Sequence, residues 1–246
     1  GNMYYLGIDL GTSSVKLLLA DEKGNIVKTA SRDYPLIFPE EGWSEQNPSD
    51  WIEGTLSALS EVTEGIDKAL IKSIGVAGQM HGLVILDEND EVIRPAILWN
   101  DGRTEKEVEY LNNVIGKDKL SEYTANIAFA GFTAPKILWV KNNEPENFSR
   151  IRKIMLPKDY INYVLTGVHA CDYSDASGML LLDVKNKSWS DEMLDICGIK
   201  VVKNNLYDIE TKFFCFTFYN CKFFLRHIPN TRSKYCCQWN ILLPVI

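Results

Sequence analysis

The chain has 246 residues, 46% hydrophobic and 24% charged, with a formal net charge of −7, the composition of a soluble globular protein with room for one large domain or two small ones. The acidic balance excludes a nucleic-acid-binding surface, and no run approaches the roughly 18 apolar residues of a membrane span. Nothing reads as a signal peptide, since Gly1-Asn2-Met3 has the look of a tag remnant before a start Met; the cytoplasm is the expected compartment, where six cysteines without zinc-like spacing stay reduced.

The first predicted elements are two apolar runs, Tyr4 to Ile8 and Val15 to Ala20, separated by Gly11-Thr12-Ser13-Ser14. Their composition is that of strands around a tight bend. Asp9 sits at the end of the first run, where a buried carboxylate would be costly without compensation. Backbone N–H groups and three hydroxyls in the bend suit phosphate oxygens, and Asp9 suits a metal ion held through water. An ordinary hairpin with an Asp at its turn fits the same spacing. A third strand, Ile26 to Tyr34, completes an antiparallel meander.

Asn47-Pro48 then opens a helix, with Asn47 as N-cap and Pro48 in the first turn. Its stripe of Trp51, Ile52, Leu56, Leu59, Val62 and Ile66 faces the sheet. Ile71 to Ala77 is the next strand. It leads into Gly78-Gln79-Met80-His81-Gly82, a strand Leu83 to Leu86, and the apolar run Pro95 to Trp99 ending in Asn100-Asp101-Gly102-Arg103. Helices are predicted over Glu105 to Ile115, after Gly131-Phe132-Thr133-Ala134-Pro135-Lys136, over Lys158 to Leu165, and from Ser190. Strands are predicted over Lys153 to Leu156 and Met179 to Val184, with a loop at Cys171 to Gly178. Strands, a helix, then more strands make an α/β unit with a mixed sheet.

At about Val201 the composition changes. Residues 1–200 hold all 16 glycines, and the last 46 hold none. Those 46 carry ten aromatic residues and six basic against two acidic ones, a charge of +4 that leaves −11 for the first 200. The run Phe213 to Tyr219 is strand-like and without gatekeeping charge. The expected division is therefore 1–200 as a domain and 201–246 as an aromatic, Cys-rich tail that is not a domain; an aromatic dock for a partner is the functional alternative.

Gly7-Ile8-Asp9-Leu10-Gly11-Thr12-Ser13-Ser14-Val15-Lys16 resembles the first phosphate loop of sugar kinases in the actin and hexokinase superfamily. Gly78 to Gly82, Trp99 to Arg103, Gly131 to Lys136, Leu156-Pro157-Lys158-Asp159-Tyr160 and Ser174 to Gly178 resemble, in order, positions of the FGGY carbohydrate kinases, and among them the xylulokinases. The resemblance covers residues 3 to about 200.

It implies a ribonuclease-H-like mixed sheet flanked by helices. The implied activity is ATP-dependent phosphorylation of D-xylulose to D-xylulose 5-phosphate, with ATP and Mg²⁺ as cofactors. Kinases of ribulose, gluconate or glycerol, and a non-catalytic interaction protein, are the alternatives. Asp9 is expected on the phosphate and metal side, with Gly11, Thr12, Ser13 and Lys16 at the nucleotide phosphates. Gln79, Met80 and His81 are expected at the sugar, together with Trp99, Asn100 and Asp101. Other roles fit some of these residues: core packing for Trp99, helix capping for Asn100 and Asp101, a structural role for His81. Asp175 is expected in a turn, and Lys136 and Lys158 in solvent. The family's general base belongs to a Gly-Gly-Gly-Asp-type motif of a second domain that this sequence does not contain, so the chain as written is expected to lack substantial kinase activity. Partners are the sugar and ATP, without nucleic acid or membrane; a homo-oligomer stays open.

Overall fold

The computed structural model describes residues 3–199, 208–210 and 215–216. The chain begins β1 (Tyr4–Leu10), β2 (Ser14–Asp21), β3 (Ile26–Asp33), β4 (Glu45–Gln46), α1 (Pro48–Thr63), β5 (Ile71–Gly78), β6 (Val84–Leu86) and β7 (Ala96–Ile97). There follow α2 (Glu105–Glu109), a π-helical run Tyr110–Gly116, α3 (Lys117–Thr124), α4 (Thr133–Asn143), α5 (Pro145–Arg150), β8 (Lys153–Met155) and α6 (Pro157–Thr166). The last elements are β9 (Ala170–Asp172), α7 (Tyr173–Ser177), β10 (Leu182–Asp183), β11 (Ser188–Trp189), α8 (Asp191–Cys197), β12 (Asp208–Glu210) and β13 (Cys215–Phe216).

The central sheet runs β13-β5-β1-β2-β3. β1, β2 and β3 form the antiparallel meander that their tight turns dictate, while β5 returns parallel to β1 after the α1 crossover. The period-2 pattern sets which face is dry. Leu6, Ile8, Leu10, Val15, Leu17 and Leu19 are buried on the α1 side. Asp9, Lys16 and Leu18 point to the other face and are exposed, so the carboxylate expected to be buried is instead in water. Helix α1 seats Trp51, Ala58, Leu59 and Val62 on the sheet. Asn47 occupies the N-cap position without a side-chain capping bond.

Three small ladders carry the irregular half. β4 pairs antiparallel with β7, and β6 with β8, so the strand after the Gln79 motif leaves the central sheet rather than extending it. β10 pairs with β11, which leaves only two residues of the strand predicted from Met179 to Val184. The loop predicted at 171–178 contains the end of β9 and helix α7. The tail expected after residue 200 lies outside the described residues except for β12, parallel to β9, and β13, antiparallel to β5.

Candidate active site

The parallel pairing of β1 with β5 matches Asp9 with Ala77 and Leu10 with Gly78. The C-terminal ends of both strands therefore lie side by side, and so do the chains that leave them: the Gly11–Ser13 bend and the Gln79–His81 motif. This is the edge at which α/β sheets bind ligands. The approach is close enough to require glycine. A Cβ on Gly78 would sit 2.8 Å from Leu10 Cβ and 2.9 Å from Leu10 O, and the Gln79 N–H donates to Leu10 O at 2.8 Å.

In the bend, Gly11 N–H is spent on Ser14 O at 3.0 Å, and Tyr34 OH donates to Gly11 O. Among the described residues the backbone N–H groups of Thr12 and Ser13 make no hydrogen bond; those are the donors left for an anion. Lys16 stands directly across the β1–β2 ladder from Asp9. The two exposed charges share one face of the strand pair.

On the other side, Met80 and Trp99 are 49% and 45% exposed, apolar walls with free surface. Asn100 is exposed as well. The Trp99 indole N–H donates to Thr12 Oγ1 at 2.9 Å and thereby ties the two halves together. His81 takes a left-handed backbone, φ 63°, held by the Thr133 hydroxyl donating to its carbonyl at 2.9 Å. Its ring lies 5.0 Å from the Phe132 ring, and its buried Nδ1 rests against the Gly178 backbone. Burial, reinforced by the Lys136 charge and opposed by Asp175, holds this imidazole below its ordinary pKa. It is neutral at neutral pH, able to donate or accept with a hydroxyl.

Asp101 does not face the opening. It is buried, its Oδ2 accepts from Ser44 N at 2.6 Å, and Arg103 takes both oxygens. Arg103 in turn lies 3.9 Å from the centre of the Trp43 ring and 4.8 Å from that of Trp139. Asp101 therefore anchors the floor beneath Trp99 and Asn100.

Both lysines expected in solvent are buried. Lys136 is fully enclosed, and its ammonium donates to the carbonyls of Ala130, Gly131 and Phe132 at 2.9, 2.6 and 3.0 Å. Burial pushes it down to about 7. Lys158 pairs with Asp159, Asp172 and Asp175 at 2.9, 2.6 and 3.0 Å, so Asp175 is an ion-pair partner at the start of α7. Phe132 and Gly178 are legible only as members of the 131–136 and 174–178 motifs, without a role of their own, and Gln46 only as the residue before a helix cap.

A cavity of about 610 Å³ lies elsewhere, between the start of α1, the 89–95 loop and Tyr160 and Tyr163. It holds none of the residues above; the convergence of polar groups, not the volume, marks the site. Among the described residues no group of three or more His, Cys, Asp or Glu is assembled to hold a metal. A lone exposed carboxylate is nonetheless what Mg²⁺ uses when nucleotide phosphates complete its shell, so Asp9 fits that ion. Among the described residues no helix is long and apolar enough to cross a membrane.

Comparison with known proteins gives a consistent picture. Residues 4–206 match the N-terminal domain of the FGGY family of carbohydrate kinases. The xylulose kinase of Lactococcus lactis subsp. lactis is 49% identical over 199 residues, 80% of this chain and 39% of that protein. The solved structure of a xyloylose kinase from Brucella ovis superposes with a TM-score of 0.79 at 42% identity, over 84% of this chain and 43% of its own. A gluconate kinase from Lactobacillus acidophilus gives 0.80 at 31% identity, over 85% and 42%. The chain spans about two fifths of the length of the curated relatives it matches. With its ribonuclease-H-like mixed sheet and the motifs at the ends of β1 and β5, the chain belongs to the FGGY family of carbohydrate kinases, of which residues 4–206 are the N-terminal domain.

Proposed function

We propose that residues 1–200 form the sugar-binding lobe of an ATP-dependent kinase that phosphorylates D-xylulose to D-xylulose 5-phosphate. The observation that carries this reading is the adjacency of the Gly11–Ser13 bend and the Gln79–His81 motif at the parallel ends of β1 and β5, bridged by the Trp99–Thr12 hydrogen bond. Met80 and Trp99 supply the apolar surface for the sugar's carbon face. Gln79, His81 and Asn100 supply hydroxyl partners, with Asp101 holding their floor. Gly11, Thr12, Ser13 and Lys16 receive the terminal phosphates. Asp9 would orient Mg²⁺, which neutralises charge on the transferring phosphoryl group. The work of this lobe is positioning and charge, since phosphoryl transfer asks little covalent chemistry of the protein. The proton acceptor for the sugar hydroxyl is not assigned to any of these side chains.

The gluconate kinase likeness makes gluconate the competing acceptor. Saturation-transfer NMR on the chain with D-xylulose, D-ribulose, D-gluconate and glycerol is the test. D-Xylulose is expected to bind most tightly, and His81→Ala to weaken it by about tenfold, the worth of one well-made hydrogen bond. Preferred binding of gluconate, or D-xylulose binding indifferent to His81→Ala, would sink the reading.

A further inference from the structure

The phosphate-side bend and the sugar-side motif meet at a third residue that neither motif contains. Gln46, fully buried in β4, makes three side-chain hydrogen bonds. Its Oε1 accepts from Trp51 Nε1 at 2.9 Å and from Gln79 Nε2 at 3.0 Å. Its Nε2 donates to Thr12 O at 2.5 Å. An indole N–H can only donate. The buried Trp51 therefore fixes which end of the Gln46 amide is oxygen, and hence that the nitrogen faces the bend. The same logic passes one residue further. Gln79 must donate to Gln46, which leaves Gln79 Oε1 as a buried acceptor without a partner. A neighbouring register adds a second tie: Gln46 pairs with Ala96 across the β4–β7 ladder, and the chain leaving β7 brings Trp99, whose indole holds the Thr12 hydroxyl at 2.9 Å. Thr12 is thus clasped at its carbonyl and at its hydroxyl by residues arriving from one ladder.

We propose that Gln46 is a positioning residue that locks the phosphate-side bend to the sugar-side strand end, so that occupancy of one half of the site stiffens the other. The inference rests on the kinase reading for what fills each half; the junction itself rests on the hydrogen bonds alone. The acceptor left on Gln79 is matched by the donor every sugar hydroxyl carries, and Gln46 keeps it in that polarity.

The test is amide exchange on the full chain. Gly11 N–H, bonded to Ser14 O, reports opening of the bend; the amides of Leu17 and Leu19 report the sheet. Gln46→Met, which preserves bulk and removes the amide, is expected to speed Gly11 exchange about tenfold while Leu17 and Leu19 keep their protection. D-Xylulose is expected to slow Gly11 exchange in the unaltered chain and to leave it unchanged in Gln46→Met. Exchange rising equally at all three amides, or at none, overturns the junction. If D-xylulose has no effect on the unaltered chain, the stiffening claim is overturned, and the saturation-transfer panel tells whether the kinase reading falls with it; the Gly11 comparison still decides the junction. Should Gln46→Met not fold, the unaltered chain answers: the Gln46 side-chain amide protons are expected to exchange at least tenfold slower than those of a free glutamine, and equal rates overturn the proposal.

Discussion

Gly178 shows how one missing side chain shapes this site. A Cβ built there would lie 2.2 Å from His81 Cε1 and 2.5 Å from Nδ1, far inside van der Waals contact. Gly178→Ala therefore has to displace the imidazole, whose backbone is already fixed by the Thr133 hydroxyl. The expected outcome is a folded chain that loses D-xylulose affinity about as severely as His81→Ala; binding within twofold of the unaltered chain would show that the ring position is not what the sugar reads. His81 is legible through its neighbours, and the 174–178 stretch as a separate motif. That the two are in contact could not be read, because nearly a hundred residues separate them and a glycine's empty space leaves no pattern. Lys136 and Lys158 were missed for a related reason: a lysine is ordinarily in solvent, and only the fold turns three carbonyls or three carboxylates toward one.

At the level of elements, α1 decides how tightly the sheet's dry face is covered. Gly54, in mid-helix, would place a Cβ 3.3 Å from Val15 Cγ1 and 3.4 Å from Arg32 Cβ. The helix thus sits close enough for a glycine, at some intrinsic cost to the helix. Gly54→Leu is expected to destabilise by about 1–3 kcal/mol through overpacking, whereas Gly54→Ala stays within about 1 kcal/mol because better helix propensity offsets the tight contact. Urea denaturation checks both, and a Leu variant as stable as the parent would mean that helix and sheet are loosely seated. The meander and α1 were legible because each buries one continuous face, so periods of 2 and 3.6 survive in the text. The 105–124 region was legible as a helix only as far as Ile115. Its helix passes through the π-helical run Tyr110–Gly116 before α3, and a π turn shifts the phase of an apolar stripe. Strands β6 and β8 were legible as short apolar runs, but with two or three residues per strand the β4–β7 and β6–β8 ladders carry no period that tells which strands pair.

Across the whole molecule, the Lys158 cluster links the fold to pH. One ammonium faces Asp159, Asp172 and Asp175, with the Cys171 thiol beside them. The fully enclosed Asp159 is pushed up to about 6, chiefly by burial and against the pull of Lys158. For Asp172, nearer water, burial is the largest single influence and pushes upward, but the hydrogen bond from Lys158, its charge and the backbone N–H groups together hold the carboxyl below its ordinary value. Because the folded value of Asp159 lies above the unfolded 3.8, its contribution favours the fold fully below 3.8 and is lost as pH rises through 6. Asp159→Asn removes that dependence. The variant's stability relative to the parent is expected to climb between pH 4 and pH 6, by roughly 2–3 kcal/mol, in denaturation curves taken across that range. Parallel curves for parent and variant would show that Asp159 stays ionised.

The left-handed turn at His81 also bears on redesign. Anyone refitting this lobe for a different polyol meets a steric filter before a chemical one: glycine, asparagine and aspartate accept that backbone, and valine, isoleucine and threonine resist it. A library randomised at this codon would be thinned by conformation first, and its survivors would owe their rank partly to tolerance of the bend.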